Sequence, residues 1–461
     1  QTSVRYEVLA DGERVGEGTR AEGWLAQPAA DGYWVALGAR DFWRNHPAAL
    51  TAGPNGLGLD LWAGDEPLPW EGGLAKTWEF VIRLADEVPG TLETDPVHAA
   101  VDPAWVAGTG AVGDLLPLCA ESLAQIPYWE GHQAESMRRW VRGMPTGLRD
   151  YGDAYMGGPY KGENAYANLE YDVPFNFLWQ YLRTGDLWYL EAADAQAKHL
   201  CDIDINHFER HQWKHSPQHT QSKAEFGHVF VRGLLLHYLL TGEDRSRECA
   251  EMIGDWIAGD LSNLAGLGNE RQIGWALLAL TGLYETTGDR RFLDPALKAA
   301  LHLAGGQSTS GRLDIRWDNR IAFFNGIAMN GLRHVYDATG DERIGRAVEL
   351  LAERTLGLYP EYACRTLNGF AWAVLRTGDP RYSDILARTW ESSVDYLLSR
   401  PANAATVSPH SHEFLLLGLR HRLFPEEPLA TDIRPESWAY IRPQGSTVEV
   451  LIRATEPAAP I

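Results

Sequence analysis

The sequence predicts an α+β multidomain protein, in which an N-terminal antiparallel β-sandwich is followed by an (α/α) toroid and a short C-terminal β segment. Three observations support this prediction. Apolar residues alternate with period two near the N-terminus, the period becomes helical further on, and one turn sequence recurs five times in the helical part. We expect a sandwich at 1–100, a linker at 101–119, a toroidal domain at 120–425 and β structure at 426–461.

The β prediction depends on alternating apolar residues. Phe80, Ile82 and Leu84, for example, lie on one face of a predicted strand. Asp-Gly and Gly-Gly dipeptides separate such runs, as turns do. A stretch rich in Pro, Gly and Ala then predicts the linker, and alternation returns at 447–453, where it predicts C-terminal strands.

The toroid prediction depends on a repeated Thr-Gly-acid turn, which follows one apolar helix and precedes another. The five turns are Thr184-Gly185-Asp186, Thr241-Gly242-Glu243, Thr287-Gly288-Asp289, Thr339-Gly340-Asp341 and Thr377-Gly378-Asp379. Glycine suits the left-handed position that ends a helix, and the acid can cap the next helix. Spacings of 38 to 57 residues are typical of helical hairpins, so we expect these turns on one face and the longer loops on the other.

Composition limits the partners of the protein. The formal net charge is −21, from 62 acidic against 41 basic residues, which argues against nucleic acid as a partner. No apolar run approaches the length of a membrane span, so no membrane partner is expected. An acidic polysaccharide or oligosaccharide remains compatible, because charges are screened over roughly 8 Å at physiological salt. No signal peptide is recognised in this chain, and the sequence leaves the compartment open between secreted, periplasmic and cytoplasmic.

A histidine-rich segment is the clearest candidate for chemistry. His207, His211, His215 and His219 recur every four residues, which on one helix face would let neighbours share a metal. Pro217 interrupts this pattern, and no carboxylate stands at a matching step. The sequence therefore predicts no metal site and no cofactor, although a divalent metal such as calcium stays open. Histidines in such a segment are equally suited to acid–base catalysis near neutral pH.

Several blocks of sequence carry a family resemblance. RDFWRNHPAAL at 40–50 and the segment from 57 to 84 come first, followed by YGDAYMGG, NLEYDVP, CDIDINHF, GHVFVRGLLLHYLLTGE and ERQIGWALLALTGLYETTGD. In this order they resemble the exo-rhamnogalacturonan lyase-like family, which is polysaccharide lyase family 26 and is also called YetA-like. The first two blocks resemble its central β-sandwich, and the others resemble its C-terminal (α/α) toroid. Where the family tends to read KTHE, this chain has Lys76-Thr77-Trp78-Glu79, which leaves the substrate open.

The resemblance implies an exo-acting polysaccharide lyase that cleaves a uronic-acid glycan, such as rhamnogalacturonan, by β-elimination. That reaction needs a base for the proton at C5, a proton donor for the departing O4 and a cationic clamp on the sugar carboxylate. The predicted catalytic residues are Tyr160, His207, His219 and His228. The predicted substrate-binding residues are Asp153, Asn168, Tyr171, Lys223, Arg232, Glu270, Arg271 and Arg316.

Two other functions remain open from the residues alone. A glycoside hydrolase on the same toroid would use two carboxylates. Its candidates are Asp153, Glu170, Asp172, Glu270 and Asp318. A non-catalytic carbohydrate-binding protein would use the abundant aromatic residues, 18 Trp and 18 Tyr, to stack against sugar rings.

Overall fold

The fold is described here from a computed structural model. The described residues are 5–68, 70–113, 115–118, 127–160, 163–220, 223–261, 264, 267–316, 321–358, 367–386, 388, 437–444 and 447–454. Within some of these elements only the backbone is described.

The N-terminal part consists of short antiparallel strands. They are β1 (Tyr6–Ala10), β2 (Glu13–Gly18), β3 (Trp24–Pro28), β4 (Trp34–Ala39), β5 (Ala49–Gly53), β6 (Gly56–Asp60) and β7 (Phe80–Ala85). Strands β3, β4 and β7 form a three-stranded sheet in which Leu37 stands opposite Ile82, while β1–β2 and β5–β6 are hairpins. The β5–β6 hairpin contacts the three-stranded sheet. These small sheets confirm the predicted antiparallel strands and support a sandwich only loosely.

The predicted linker is ordered against the helical part. It contains helix α1 (Pro103–Thr109), which begins after Asp102 because that carboxylate accepts hydrogen bonds from the first backbone N–H groups. The backbone N–H of Leu118 donates to the carbonyl of Arg183 at 2.9 Å, and the Arg183 Nε–H donates to the carbonyl of Leu116 at 2.7 Å. These contacts join the segment to the first toroid hairpin.

The helical part contains paired helices. They are α2 (Pro127–Gly143), α3 (Val173–Thr184), α4 (Leu187–His199), α5 (Arg232–Thr241), α6 (Asp244–Leu261), α7 (Glu270–Thr287), α8 (Arg290–Gly306), α9 (Ala322–Thr339), α10 (Glu342–Leu356) and α11 (Leu367–Thr377). The first helix of each hairpin contacts the first helix of the next, from α3 through α5, α7 and α9 to α11. The second helices contact one another from α6 to α8 to α10. This two-layer arrangement is consistent with the predicted (α/α) toroid.

The repeated turns connect the helices as predicted. Gly185, Gly242, Gly288, Gly340 and Gly378 all have φ between 66° and 76°, the left-handed conformation that glycine adopts without steric cost. The acid then caps the following helix: Asp289, for example, accepts a hydrogen bond from the backbone N–H of Arg291 at 2.9 Å. Local sequence therefore specifies each hairpin.

Close glycine contacts bring α7 and α9 together. A Cβ added at Gly274 would lie 2.4 Å from the carbonyl oxygen of Ile327, and one added at Gly331 would lie 2.5 Å from the carbonyl oxygen of Gly274. The two backbones therefore pack more closely than side chains would allow. This contact holds neighbouring first helices in the layer that surrounds the toroid interior.

The first helices surround a cavity, and the loops before them contact one another. The cavity has a volume of about 950 Å³ and is lined by residues from both ends of these helices, such as Arg232, Trp179, Leu239 and Arg376. Among the loops, Arg316 N–H donates to the carbonyl of Leu267. Each turn follows the C-terminus of a first helix and the long loops precede the N-termini, which is consistent with the expectation that turns and long loops lie on opposite faces.

The remaining strands form small hairpins. They are β8 (Tyr155–Tyr160) with β9 (Glu163–Tyr166), β10 (Ile205–Asn206) with β11 (His211–Gln212), and β12 (Ser437–Gln444) with β13 (Thr447–Ala454). The last hairpin confirms the predicted C-terminal strands. Among the described helices, none combines the length and the apolar character needed to cross a membrane.

Candidate active site

The loop before α3 is the strained element around which the site is built. Asn168, Leu169, Tyr171 and Asp172 all have positive φ, between 48° and 70°. Residues other than glycine rarely adopt this backbone conformation, and such backbone strain concentrates at functional sites. The carboxylate of Asp172 secures the end of the loop by accepting hydrogen bonds from the backbone N–H of Gly233 at 3.0 and 3.1 Å.

The loop directs Glu170 into a group that we call the Glu170 cluster, composed of Glu170, His215, Glu225, His228 and Arg271. Arg271 Nη2 donates to Glu170 Oε1 at 2.6 Å, and His228 Nε2 lies 3.2 Å from the same oxygen. His228 Nδ1 lies 2.6 Å from Glu225 Oε1. The ring of His215 contacts that of His228 edge to face, at 5.0 Å between centroids. Four ionisable side chains and a guanidinium thus meet within one buried region.

The local charges and burial shift the pKa values of Glu170 and His215 and so determine their protonation states. Burial raises the pKa of Glu170, but the hydrogen bond from His228 and the charge of Arg271 outweigh it and hold this pKa well below its usual range. Burial lowers the pKa of His215 to about 4; the charge of Glu170 opposes this, while the interactions with His228, Lys214 and Arg271 act in the same direction as burial. Near neutral pH, Glu170 is therefore a carboxylate and His215 is a neutral imidazole that can accept a proton.

Arg271 has one group that the protein leaves without a partner. Its guanidinium lies over the ring of Tyr171, 5.3 Å from the centroid, and it binds Glu170 through Nη2. Its Nε–H is buried and has no hydrogen-bond partner among the described residues. Buried donors are nearly always satisfied, so this atom points to a bound acceptor.

A second group lies on the other side of the strained loop. We call it the Asp204 cluster: Asp153, His199, Asp204 and His219, all of them buried. Asp204 Oδ1 lies 3.2 Å from His219 Nδ1 and 3.3 Å from His199 Nε2. Asp153 Oδ2 lies 3.8 Å from His219 Nδ1 and accepts the backbone N–H of Asn168 at 2.9 Å. Because Glu170 is only two residues beyond Asn168, the loop joins the two clusters.

The carboxylates around His219 decide its protonation. Burial lowers its pKa, but hydrogen bonds and charges from Asp150, Asp204 and Asp153 outweigh this and raise the pKa to about 9. Burial and the charge of Asp204 raise the pKa of Asp153 to about 6. His219 stacks on Tyr166 at 3.9 Å between ring centroids, which leaves it 1% exposed. His219 is thus enclosed, and no sugar can reach it directly.

The structure brings several predicted residues together. His228, Arg271 and Tyr171 meet in the Glu170 cluster, and Glu270 begins the same helix as Arg271. Asp153 and His219 meet in the Asp204 cluster. Asn168 holds the surrounding backbone, since its side-chain N–H groups donate to the carbonyls of residues 213, 214 and 219.

Other predicted residues lie elsewhere. His207 contacts the carbonyl of Cys201 at 2.7 Å and Arg245 at 3.3 Å, away from both clusters. Arg232, the first residue of α5, lies over the ring of Phe175 and lines the 950 Å³ cavity. The remaining three also stay predictions. Lys223 and Arg316 are exposed, and Tyr160 ends β8 with a side chain outside the described part. Asp318, a candidate of the hydrolase alternative, lies outside the described residues.

The structure corrects the sequence reasoning about the histidines. The four-residue spacing does not place His207, His211, His215 and His219 on one helix face, because residues 205–219 form β10, β11 and turns. The carboxylates that contact these histidines come from other positions, some close in sequence and some distant. Residues 150, 153 and 204 surround His219, while residues 170 and 225 contact His228. His199, Asp204 and Glu225 were therefore missed, and His215 was named only as a member of the four-residue series. The motif CDIDINHF, which contains Asp204, was a signal for one of them.

Comparisons with known proteins give distant structural similarities. No family model and no curated protein matches the chain. A sugar epimerase from a ruminal bacterium aligns with a TM-score of 0.48 and 13% identity, over 59% of this chain and 87% of that chain. Cellobiose 2-epimerase from Spirochaeta thermophila aligns at 0.47 and 15%, over 64% and 98%. A polysaccharide lyase aligns at 0.42 and 12%, over 56% and 90%. Similarity at this level assigns neither a reaction nor a substrate.

Proposed function

We propose that this protein is a polysaccharide lyase that cleaves a uronic-acid glycan by β-elimination at the Glu170 cluster. The observation that carries the proposal is the unpartnered Nε–H of Arg271 beside two imidazoles, His215 and His228. A cation with a free donor and a neutral imidazole supply two of the three groups that the elimination requires, the clamp and the base. Exo action and rhamnogalacturonan as the substrate rest on the family resemblance alone.

His215 is the proposed base. It is half-buried, whereas His228 is 4% exposed, so a sugar can approach His215 more readily. Its lowered pKa keeps it neutral, and it can take the proton from C5 of the uronate. His228 is held between Glu225 and Glu170 and positions the ring of His215. Tyr160 remains the proposed proton donor to the departing O4.

Arg271 is the proposed clamp on the sugar carboxylate. When the proton leaves C5, charge moves onto that carboxylate, and a fixed guanidinium stabilises it. The ion pair with Glu170 and the contact with Tyr171 hold the guanidinium in place before substrate binds. Lys223 and Arg316 are exposed and are proposed to bind acidic sugars further along the glycan.

The same geometry is less suited to glycoside hydrolysis. Hydrolysis needs one carboxyl group that stays protonated and reaches the leaving oxygen. Glu170 is held ionised by Arg271 and His228. Asp153 and Asp172 have raised pKa values, but both are buried and accept hydrogen bonds from the backbone. We therefore place the hydrolase second.

The test is a panel of uronic-acid glycans with ultraviolet detection, since elimination leaves a double bond conjugated with the carboxylate. We expect an absorbing product, and a loss of kcat on the order of 10²-fold in His215→Gln. Arg271→Lys keeps the charge but loses the planar donors, and it should cost a comparable factor. His302→Gln, on helix α8, is the matched control and should retain activity. A saturated product, or full activity in His215→Gln, would exclude this mechanism.

A further inference from the structure

We propose that the Asp204 cluster binds one divalent transition-metal ion, with Zn²⁺ as the best fit, as a structural site beneath the strained loop. Two imidazole nitrogens and two carboxylates form a ligand set that Zn²⁺ accepts in proteins. The four ligand atoms lie within 4.8 Å of one another. The proposal is independent of the lyase reaction.

The distances fit four ligands around one small ion. Zinc–nitrogen and zinc–oxygen bonds of about 2.0–2.2 Å in a tetrahedron separate the ligand atoms by roughly 3.3–3.6 Å. The described separations are 3.2 Å between Asp204 Oδ1 and His219 Nδ1, 3.3 Å between Asp204 Oδ1 and His199 Nε2, and 3.8 Å between Asp153 Oδ2 and His219 Nδ1. Small side-chain adjustments suffice to close the site around an ion.

The outer contacts also match those of a metal site. The second nitrogen of a ligating histidine usually faces a carbonyl or a carboxylate, which orients the ring. His199 Nδ1 lies 3.0 Å from the carbonyl oxygen of Tyr151, so Nε2 faces the cluster. His219 Nε2 lies 3.7 Å from Asp150 Oδ1, so Nδ1 faces the cluster. Each histidine therefore presents one nitrogen inward and has an acceptor behind the other.

Buried atoms of the cluster lack hydrogen-bond partners within the described part of the chain. His199 Nε2, which faces the cluster, has none among the described residues, and neither has Oδ2 of Asp204, a residue that is 0% exposed. Leaving such an atom unsatisfied is costly. The backbone that positions Asp204 is also unusual, since Leu200–Asp204 forms a π-helical turn that brings Asp204 close to His199. Such turns occur often at functional sites.

The two nitrogen and two oxygen ligands favour Zn²⁺ over Ca²⁺. Calcium prefers six to eight oxygen ligands, whereas two of the four inward-facing atoms here are nitrogens. Because all four protein ligands are buried, no open position faces the solvent, and the site resembles structural rather than catalytic zinc sites. We expect the ion to hold the segments around 150–153 and 168–172 together.

The experiment measures metal binding rather than activity. After chelator treatment and dialysis, the full chain is titrated with Zn²⁺ by calorimetry, with metal content checked by mass spectrometry. We expect one Zn²⁺ per chain, a Tm that rises by a few degrees on binding, and no response to Ca²⁺. His237→Gln is the matched control, because it removes another buried histidine–aspartate pair, at 3.2 Å from Asp194, and should leave zinc binding unchanged.

Two variants test the ligands. Asp204→Asn should abolish stoichiometric binding. Asp150→Asn alters only an outer contact, because the Asp150 side chain is 35% exposed and lies behind His219. It should weaken zinc binding about 10–100-fold. Its Tm in the presence of chelator should stay close to that of the unaltered protein. The proposal is overturned if the folded chain takes up no zinc, if both variants bind it normally, or if His228→Gln rather than Asp204→Asn removes it.

Discussion

Substitution of Glu170 by Gln isolates the central ion pair of the candidate site. Gln keeps the shape of the side chain but removes the charge that faces Arg271 at 2.6 Å and His228 at 3.2 Å. The side chains of Glu170 and Arg271 are only 7% and 14% exposed, so water cannot replace the lost carboxylate. Breaking a buried pair by removing one partner costs about 3–5 kcal/mol, and we expect this loss in the free energy of unfolding at pH 7.

The pH dependence of this loss has a defined sign. Because the pKa of Glu170 is lowered in the folded protein, its carboxylate stabilises the fold above the unfolded pKa of about 4.3. That stabilisation disappears as the pH falls toward the folded pKa. The difference in stability between the unaltered protein and Glu170→Gln should therefore be full at pH 7 and should shrink below about pH 4.

Urea unfolding, followed by tryptophan fluorescence, measures both effects. A double-mutant cycle with Arg271→Met supplies the control, because removing both charges leaves no unpaired buried ion. The double variant should lose less stability than the sum of the two single losses. Additive losses, or a cost below about 1 kcal/mol for Glu170→Gln, would show that the pair is not a buried ion pair in solution.

Three further outcomes follow from the structure. Burial raises the pKa of Asp172 to about 6, so its carboxyl group contributes less stability as the pH rises from about 4 to 6. The free energy of unfolding of Asp172→Asn, relative to that of the unaltered protein, should therefore rise by about 3 kcal/mol over that interval when measured by urea unfolding. A difference that stays constant with pH would refute the raised pKa. Gly274→Ala places a Cβ 2.4 Å from the Ile327 carbonyl and should lower stability by about 1–3 kcal/mol, whereas an unchanged Tm would refute the close helix contact. If His215 is the base, the acidic limb of kcat/KM should fall near pH 4 rather than near 6.5, the unperturbed histidine value.

The helical hairpins were predictable because their signals are local. Each Thr-Gly-acid turn specifies its own geometry within three residues: Gly288 ends one helix and Asp289 begins the next. The sequence also predicted candidate residues for chemistry in the loops opposite these turns, and this stays a prediction.

Only the tertiary structure decided which residues meet in those loops. His219 faces carboxylates that are 15 to 69 positions away in the chain, and Arg271 meets Glu170 across 101 positions. No periodicity connects such residues, because their approach depends on how successive hairpins pack and on a loop held in left-handed conformations. The same packing directs Arg232 into the 950 Å³ cavity and not into either cluster. Local patterns therefore determined the scaffold, whereas the constellation of charges resulted from long-range packing.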